Sequence, residues 1–335
     1  MYDGMINVYK EKGYTSHDVV ARLRGILHQK KIGHTGTLDP DAEGVLPVCL
    51  GKGTRLCELI TDYDKTYRAV LLLGLVTDTQ DISGRILEEQ TPDLTEAAVR
   101  EAVLSFVGSY DQIPPMYSAI KIGGKKLYEL AREGKEIERR PRHVQILDIS
   151  IQEIDLPRVT MEVTCSKGTY IRTLCHDIGR RLGCGGCMES LVRTRTGRFA
   201  LSGALKLSEI EALAAEGEDA LRQQIIPPEV MLADHPALIV RDGAADKLLK
   251  NGNKLPADAL LPYEAVSGAE VSAIEEDSEE EDSGMAKDGR QDESRLAFTD
   301  GARYRIFDID GIFTGLYSYQ AGHQLFKSEK MFLDR

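Results

Sequence analysis

Lys31 to Arg55 reads KIGHTGTLDPDAEGVLPVCLGKGTR, a segment punctuated throughout by glycine and proline. Gly33, Gly36, Gly44, Gly51 and Gly53 permit backbone shapes closed to other residues and let a ligand approach the chain. Pro40 and Pro47 fix φ along the same path. Into this shaped loop are set His34, Thr35, Thr37, Asp39, Asp41 and Glu43. A conformationally specified loop bearing a few ionisable groups is where binding and catalysis concentrate. It is not a phosphate-binding P-loop, which needs G-x-x-x-x-G-K-[ST]. Here Lys52 is followed by Gly53, and Leu46 stands where the first glycine belongs.

The chain around this loop has 335 residues, enough for two domains and a full core. Its hydrophobic content of 42% is ordinary for a globular protein. No apolar run is long enough to span a bilayer. The start, MYDGMINVYKEKG, lacks the basic-then-apolar pattern of a signal peptide, which points to the cytoplasm. In that reducing compartment the six cysteines are expected as thiols. Cys184 and Cys187, with Cys175-His176 upstream, lack the second ligand pair a structural zinc site wants, so no metal is expected. The net charge of −12 is uneven: residues 264–293 hold 12 acids and 2 bases, leaving only −2 to the rest. A near-neutral body can still carry the local basic face of a nucleic-acid binder.

Along the chain, Ile6 to Tyr9 alternates like a strand. Ser16 is placed to cap a helix running to about Leu27, with Val19, Val20, Leu23, Ile26 and Leu27 on one face. Thr54 is placed to cap a short helix carrying Leu56, Leu59 and Ile60. Tyr67 to Leu75 reads as a largely buried strand, and 77–84 as a turn-rich loop. Thr95 to Val107 is helical, with Gly108 as its stop. Between Lys121 and Arg142 lie eight Lys or Arg against four Glu, with Tyr117 and Tyr128 nearby. That segment reads equally as a phosphate-neutralising surface with stacking faces or as a solvated helix laced by ion pairs. Val144 to Ile154 and Val159 to Cys165 alternate as strands. After the tight loop 166–169, a helix buries Ile171, Leu174, Cys175, Ile178 and Leu182. Tyr170 and Arg172 stand at its electropositive start, off that stripe. Beyond Leu238 the texture turns to small strands and turns. The acidic run 264–294 cannot bury a core and is expected to be a disordered insertion.

Several of these segments are similar to the motifs of one family. Residues 33–55 resemble the GHTGxLDPxAxGxLPxxxGxxTK/R signature of the TruB family of pseudouridine synthases. Residues 65–84 resemble its K-x-Y-x-x-x-x-x-x-G-x-x-T-D-T-x-D-x-x-G motif, with Tyr67 at the tyrosine. Gln112 to Lys121 resembles Q-x-P-P-x-Y-S-A-x-K, and 166–173 matches S-K-G-T-Y-I-R-T letter for letter. Near the start, Lys10 and Gly13 match the family's Lys-Pro-x-Gly turn, but Glu11 replaces the proline. Ser190 to Phe199, with three arginines, completes the resemblance, and the part after 238 looks like a small β-rich RNA-binding PUA domain.

The resemblance implies an α+β fold with a central, mostly antiparallel sheet. It implies a catalytic domain at 1–235 and a PUA-like domain at 236–335 interrupted by the insertion 264–294. It implies a cofactor-free enzyme that isomerises uridine 55 in the T-loop of tRNA to pseudouridine, with no obligate protein partner. By the same analogy Asp39 is the nucleophile, and Arg172 supplies the cation that keeps it ionised with a lowered pKa. Tyr170 removes the C5 proton or lines that side of the pocket. Tyr67 stacks on uracil, Leu191 closes the apolar wall, His34 holds or displaces RNA bases, and Lys10 is a further substrate-side residue. Two rivals stay open: a non-catalytic RNA-binding or tRNA-folding protein, and a guide-dependent synthase acting on ribosomal RNA.

Overall fold

A computed structural model describes residues 1–263 and 298–333. The acidic run expected to be disordered lies outside the described residues. The chain divides into two compact units, Met1–Ile225 and Ile226–Arg335.

The first unit is built on a sheet whose described strands run in the order Gly4–Lys10, Glu43–Leu50, Gly186–Thr196, Lys65–Leu73, Arg158–Cys165, Arg142–Asp155 and Gly108–Gln112. Two short strands, Ile32–His34 and Phe199–Ala200, pair on to it. Neighbours are antiparallel except at one place. Gly186–Thr196 runs parallel to Glu43–Leu50 over two pairs only, Val192 with Glu43 and Arg193 with Gly44. There Gly44 has φ +104, and a Cβ on it would lie 2.2 Å from the Arg193 carbonyl oxygen, so only glycine lets the strands meet. The sheet is thus mostly antiparallel, as expected.

Alternation explains the strand Arg158–Cys165, which buries Val159, Met161, Val163 and Cys165 and leaves the residues between them more open. Its apolar face joins the helices Glu96–Leu104 and Ile171–Arg181 in one core through Val99, Val103, Leu174 and Ile178. A second core packs the helix Ser16–Ile26 on the first strands through Val19, Val20 and Leu23 against Ile6, Val8 and Leu46.

Two expected caps fall elsewhere. Thr15, not Ser16, caps the first helix: its Oγ1 accepts from the Asp18 amide, and the Asp18 carboxylate accepts from the Thr15 amide. Ser16 is left inside the first turn with its hydroxyl free for other work. Thr54 lies within the 3₁₀ turn Gly51–Leu56 and donates to the Gly51 carbonyl, while the helix Cys57–Thr61 begins without a side-chain cap.

The second unit holds a six-stranded sheet, in the order Leu255–Pro256, Leu325–Met331, Phe313–Gln320, Arg303–Phe307, Ala237–Val240 and Leu260–Pro262. The helix Gly243–Lys250, capped by Asp242, packs on it. Its core is strongly aromatic, with the Phe298 ring packed on those of Tyr304, Tyr319 and Phe326. The unit is β-rich, as expected.

Candidate active site

The parallel crossing brings the 31–55 loop against two segments far along the chain. From the first turn of Ile171–Arg181, Arg172 reaches the Asp39 carboxylate with Nε at 3.0 Å from Oδ2 and Nη2 at 3.3 Å from Oδ1. The fork of a guanidinium matches a carboxylate in this two-point way. Arg172 is not the solvated residue that its place off the apolar stripe implies, since only 6% of its side chain is exposed. It tolerates burial because its remaining protons are used: Nη1 meets the Thr79 carbonyl at 3.1 Å and the Asp81 carboxylate at 3.4 Å, and Nη2 donates to the Tyr117 carbonyl at 2.9 Å. Asp39 keeps 43% of its side chain exposed, so its charge is oriented yet reachable.

The electrostatics differ from expectation in one respect. Burial among protein groups raises the pKa of Asp39, and this outweighs the lowering by Arg172, with Asp81 adding a further rise. The arginine moderates the shift without reversing it.

The loop around Asp39 is fastened from the N-terminal segment. The Ser16 hydroxyl accepts from the Leu38 amide at 2.9 Å and donates to the Leu38 carbonyl at 3.3 Å. The Gly13 amide donates to the Pro40 carbonyl at 2.9 Å, so the turn holds its place with Glu11 in it. The Lys10 ammonium is buried on three carbonyls, those of Ala42, Pro40 and Glu11. Burial lowers its pKa to about 8, against the raising effect of Glu43 and Asp39. Lys10 thus ties the loop from beneath. From the other side Arg193, 1% exposed, donates from Nε to the Val45 carbonyl at 2.6 Å and from Nη2 to the Gly36 carbonyl at 3.2 Å.

Tyr67 and Leu191 lie on adjacent strands and share the core cluster of Leu38 and Ala42. Both are largely buried, and burial raises the Tyr67 phenol pKa. Tyr170 stands at the N-cap of its helix. Burial raises its phenol pKa, ahead of the lowering effects of Ser118, Arg142 and Arg172, so it is a neutral phenol at pH 7. His34 ends a short strand, and its Nδ1 is buried without a hydrogen-bond partner among the described residues. Burial and the nearby Arg193 lower its pKa, which keeps the ring neutral.

A family model described as TruB family pseudouridylate synthase (N terminal domain) matches residues 24–171, and one for the tRNA pseudouridylate synthase B C-terminal domain matches 172–233. A protein of Lachnoclostridium phytofermentans named tRNA pseudouridine synthase B is 47% identical, over 99% of this chain and 100% of its own length. This chain belongs to the TruB family of pseudouridine synthases. A second relative with that name, from Alkaliphilus oremlandii, is 49% identical over 77% of this chain and 85% of its own. Among solved structures, a chain in a crystal structure of a Cbf5-Nop10-Gar1 complex is 26% identical with a TM-score of 0.67, covering 99% of this chain and 85% of that one.

The TruB-family loop is legible in the sequence, but the parts played by residues behind it are not. Asp81 is one such residue. Its carboxylate accepts from the Thr79 hydroxyl at 2.8 Å and the Ser83 amide at 3.0 Å, and it faces Arg172. The signal was present in Thr77-Asp78-Thr79-Gln80-Asp81, a run of short polar residues that fold back on their own backbone. Ser16 reads as a cap and Arg193 as one of three arginines in the last matching segment, and neither pattern shows the loop it fastens. Among the described residues no cluster of three or more His, Cys, Asp or Glu could hold a metal ion.

Proposed function

We propose that this pseudouridine synthase converts uridine 55 in the T-loop of tRNA to pseudouridine, with Asp39 as nucleophile and no cofactor. The observation that carries the reading is the half-exposed Asp39 carboxylate held at two points by a buried Arg172. The tRNA substrate is supported by the shared name of its relatives. The chemistry belongs to the first domain, which carries Asp39 and Arg172.

The reaction breaks the C1′–N1 bond, turns the base, and joins C5 to C1′, so it is redox-neutral and atom-balanced. The uridine must first leave its stack, at a cost of a few kcal/mol. His34, neutral and with an Nδ1 unpartnered among the described residues, is the side chain assigned to the gap left by the flipped base. Asp39 then attacks C1′ and N1 departs; the alternative, proton removal from C2′ to give a glycal, starts from the same ionised carboxylate. Tyr67 and Leu191 hold the freed uracil between a ring and an apolar wall. When C5 bonds to C1′ the carboxylate is displaced, and the C5 proton leaves on the Tyr170 side. The phenolate form of Tyr170 takes that proton and becomes the phenol; burial keeps the phenolate scarce at pH 7, so this step speeds up with rising pH. Lys10 acts through the loop it ties down.

The test is to incubate the purified protein with unmodified tRNA and no added cofactor, then map the product. Pseudouridine is expected at position 55 alone. Asp39→Asn should abolish product while tRNA affinity stays within about threefold, because the missing group supplies chemistry and little binding. Wild-type activity in that variant would mean the carboxylate is not the nucleophile, and no product from the native protein would leave an RNA binder.

A further inference from the structure

Gln112 closes the strand Gly108–Gln112 and is 1% exposed. Its carboxamide does not face solvent or the sheet's own ladder. Oε1 accepts from the Tyr170 amide at 2.7 Å, and Nε2 donates to the Tyr170 carbonyl at 3.0 Å. One side chain thus satisfies both backbone groups of a residue 58 positions away. Tyr170 is the N-cap of Ile171–Arg181, and its side chain makes no capping bond, so the phenol is left for other use. Its carbonyl also accepts the Leu174 amide at 3.1 Å, the first bond of the helix. The Gln112 amide therefore fixes the φ/ψ of Tyr170 at the point where its side chain leaves the backbone.

We infer that Gln112 is a positioning residue for catalysis: its carboxamide clamps the Tyr170 backbone and so aims the phenol at the base. The inference rests on the reading of Tyr170 given above. A buried amide could be retained merely to satisfy two backbone groups, in which case its loss would act on stability and not on the phenol. The geometry favours the clamp, because both backbone bonds of the carboxamide end on the one residue whose side chain is assigned the proton, its further contact being with the Tyr110 hydroxyl.

The experiment is a double-mutant cycle with Tyr170→Phe, read by single-turnover pseudouridine formation on unmodified tRNA, tRNA affinity and melting temperature. Gln112→Met keeps volume and removes both bonds. It is expected to slow the step by about 10- to 100-fold, the effect of a small misplacement of a reacting group, with affinity within about threefold. Gln112→Asn keeps both the donor and the acceptor on a reach one methylene shorter, so its effect should be smaller; it is also the readout if the Met variant does not fold. In the Tyr170→Phe background either change should cost less than about threefold, since there is no hydroxyl left to aim. An equal loss in both backgrounds, or a rate that falls only in step with affinity, overturns the clamp while the Tyr170 reading stands. A Tyr170→Phe enzyme at the wild-type rate removes that reading, and the clamp with it.

Discussion

At Asp39 lost hydration raises the carboxyl pKa, the Arg172 guanidinium pulls it down, and burial is the larger. A nucleophilic carboxylate must be ionised, so the acid limb of the single-turnover rate should lie above the ordinary carboxylate value of about 3.9. A limb at or below that value would contradict this balance of forces. The sign for stability follows from the same shift. A carboxyl whose folded pKa is raised contributes stability below its unfolded pKa and loses it as pH rises through the folded value. Asp39→Asn should therefore melt no lower than wild type at pH 7, and the gap should close as the pH falls towards 4. Arg172 in that variant still has Asp81 and two carbonyls as partners, so it is not left bare.

At the level of elements, the active loop is a strand-to-strand connection that does not support itself. The turn 10–13 and the start of the first helix fasten it, through Lys10, Gly13 and Ser16. Ser16→Ala removes one hydroxyl but leaves a buried Leu38 amide without its partner, at a cost of about 1–3 kcal/mol. The expected outcome is a lower melting temperature together with a slower single-turnover rate and nearly unchanged tRNA affinity. An unchanged rate at reduced stability would show that the clamp is structural only. The helix and strand boundaries were largely readable, because apolar periodicity and glycine stops are local. The cap was not: Thr15 and Ser16 are both good caps by type, and the Asp18 side chain, reaching back to Thr15, decided between them.

On the scale of the molecule, charge is the feature composition most obscures. A formal −12 reads as hostile to RNA, yet 264–293 holds −10 of it. The 121–142 segment resolves partly into ion pairs, Lys125 and Lys135 with Glu133 and Arg139 with Glu136, and leaves Lys121 and Arg140 exposed. The ion-pair reading thus holds for part of the segment, and Lys121 and Arg140 are open to a phosphate. Replacing Lys121 and Arg140 by Ala should weaken tRNA binding and flatten the slope of log K against log salt by about 0.7–0.9 for each phosphate no longer neutralised. An unaltered slope would place the RNA elsewhere.

What the sequence determined by itself was the class of the fold, the loop that bears the acid, and the residue types around it. These follow from local rules: alternation makes strands, glycine and proline shape turns, and an acid in a shaped loop is available for chemistry. Only the tertiary structure decided which charged groups are enclosed and by whom. Arg172 and Asp39 are 133 residues apart, and nothing in the period of a helix shows that a residue off its apolar stripe will be sealed by partners from other segments. The same holds for Lys10, Arg193 and Gln112. A polar side chain becomes buried when groups brought together by folding satisfy its hydrogen bonds, and that sum is taken over the whole chain.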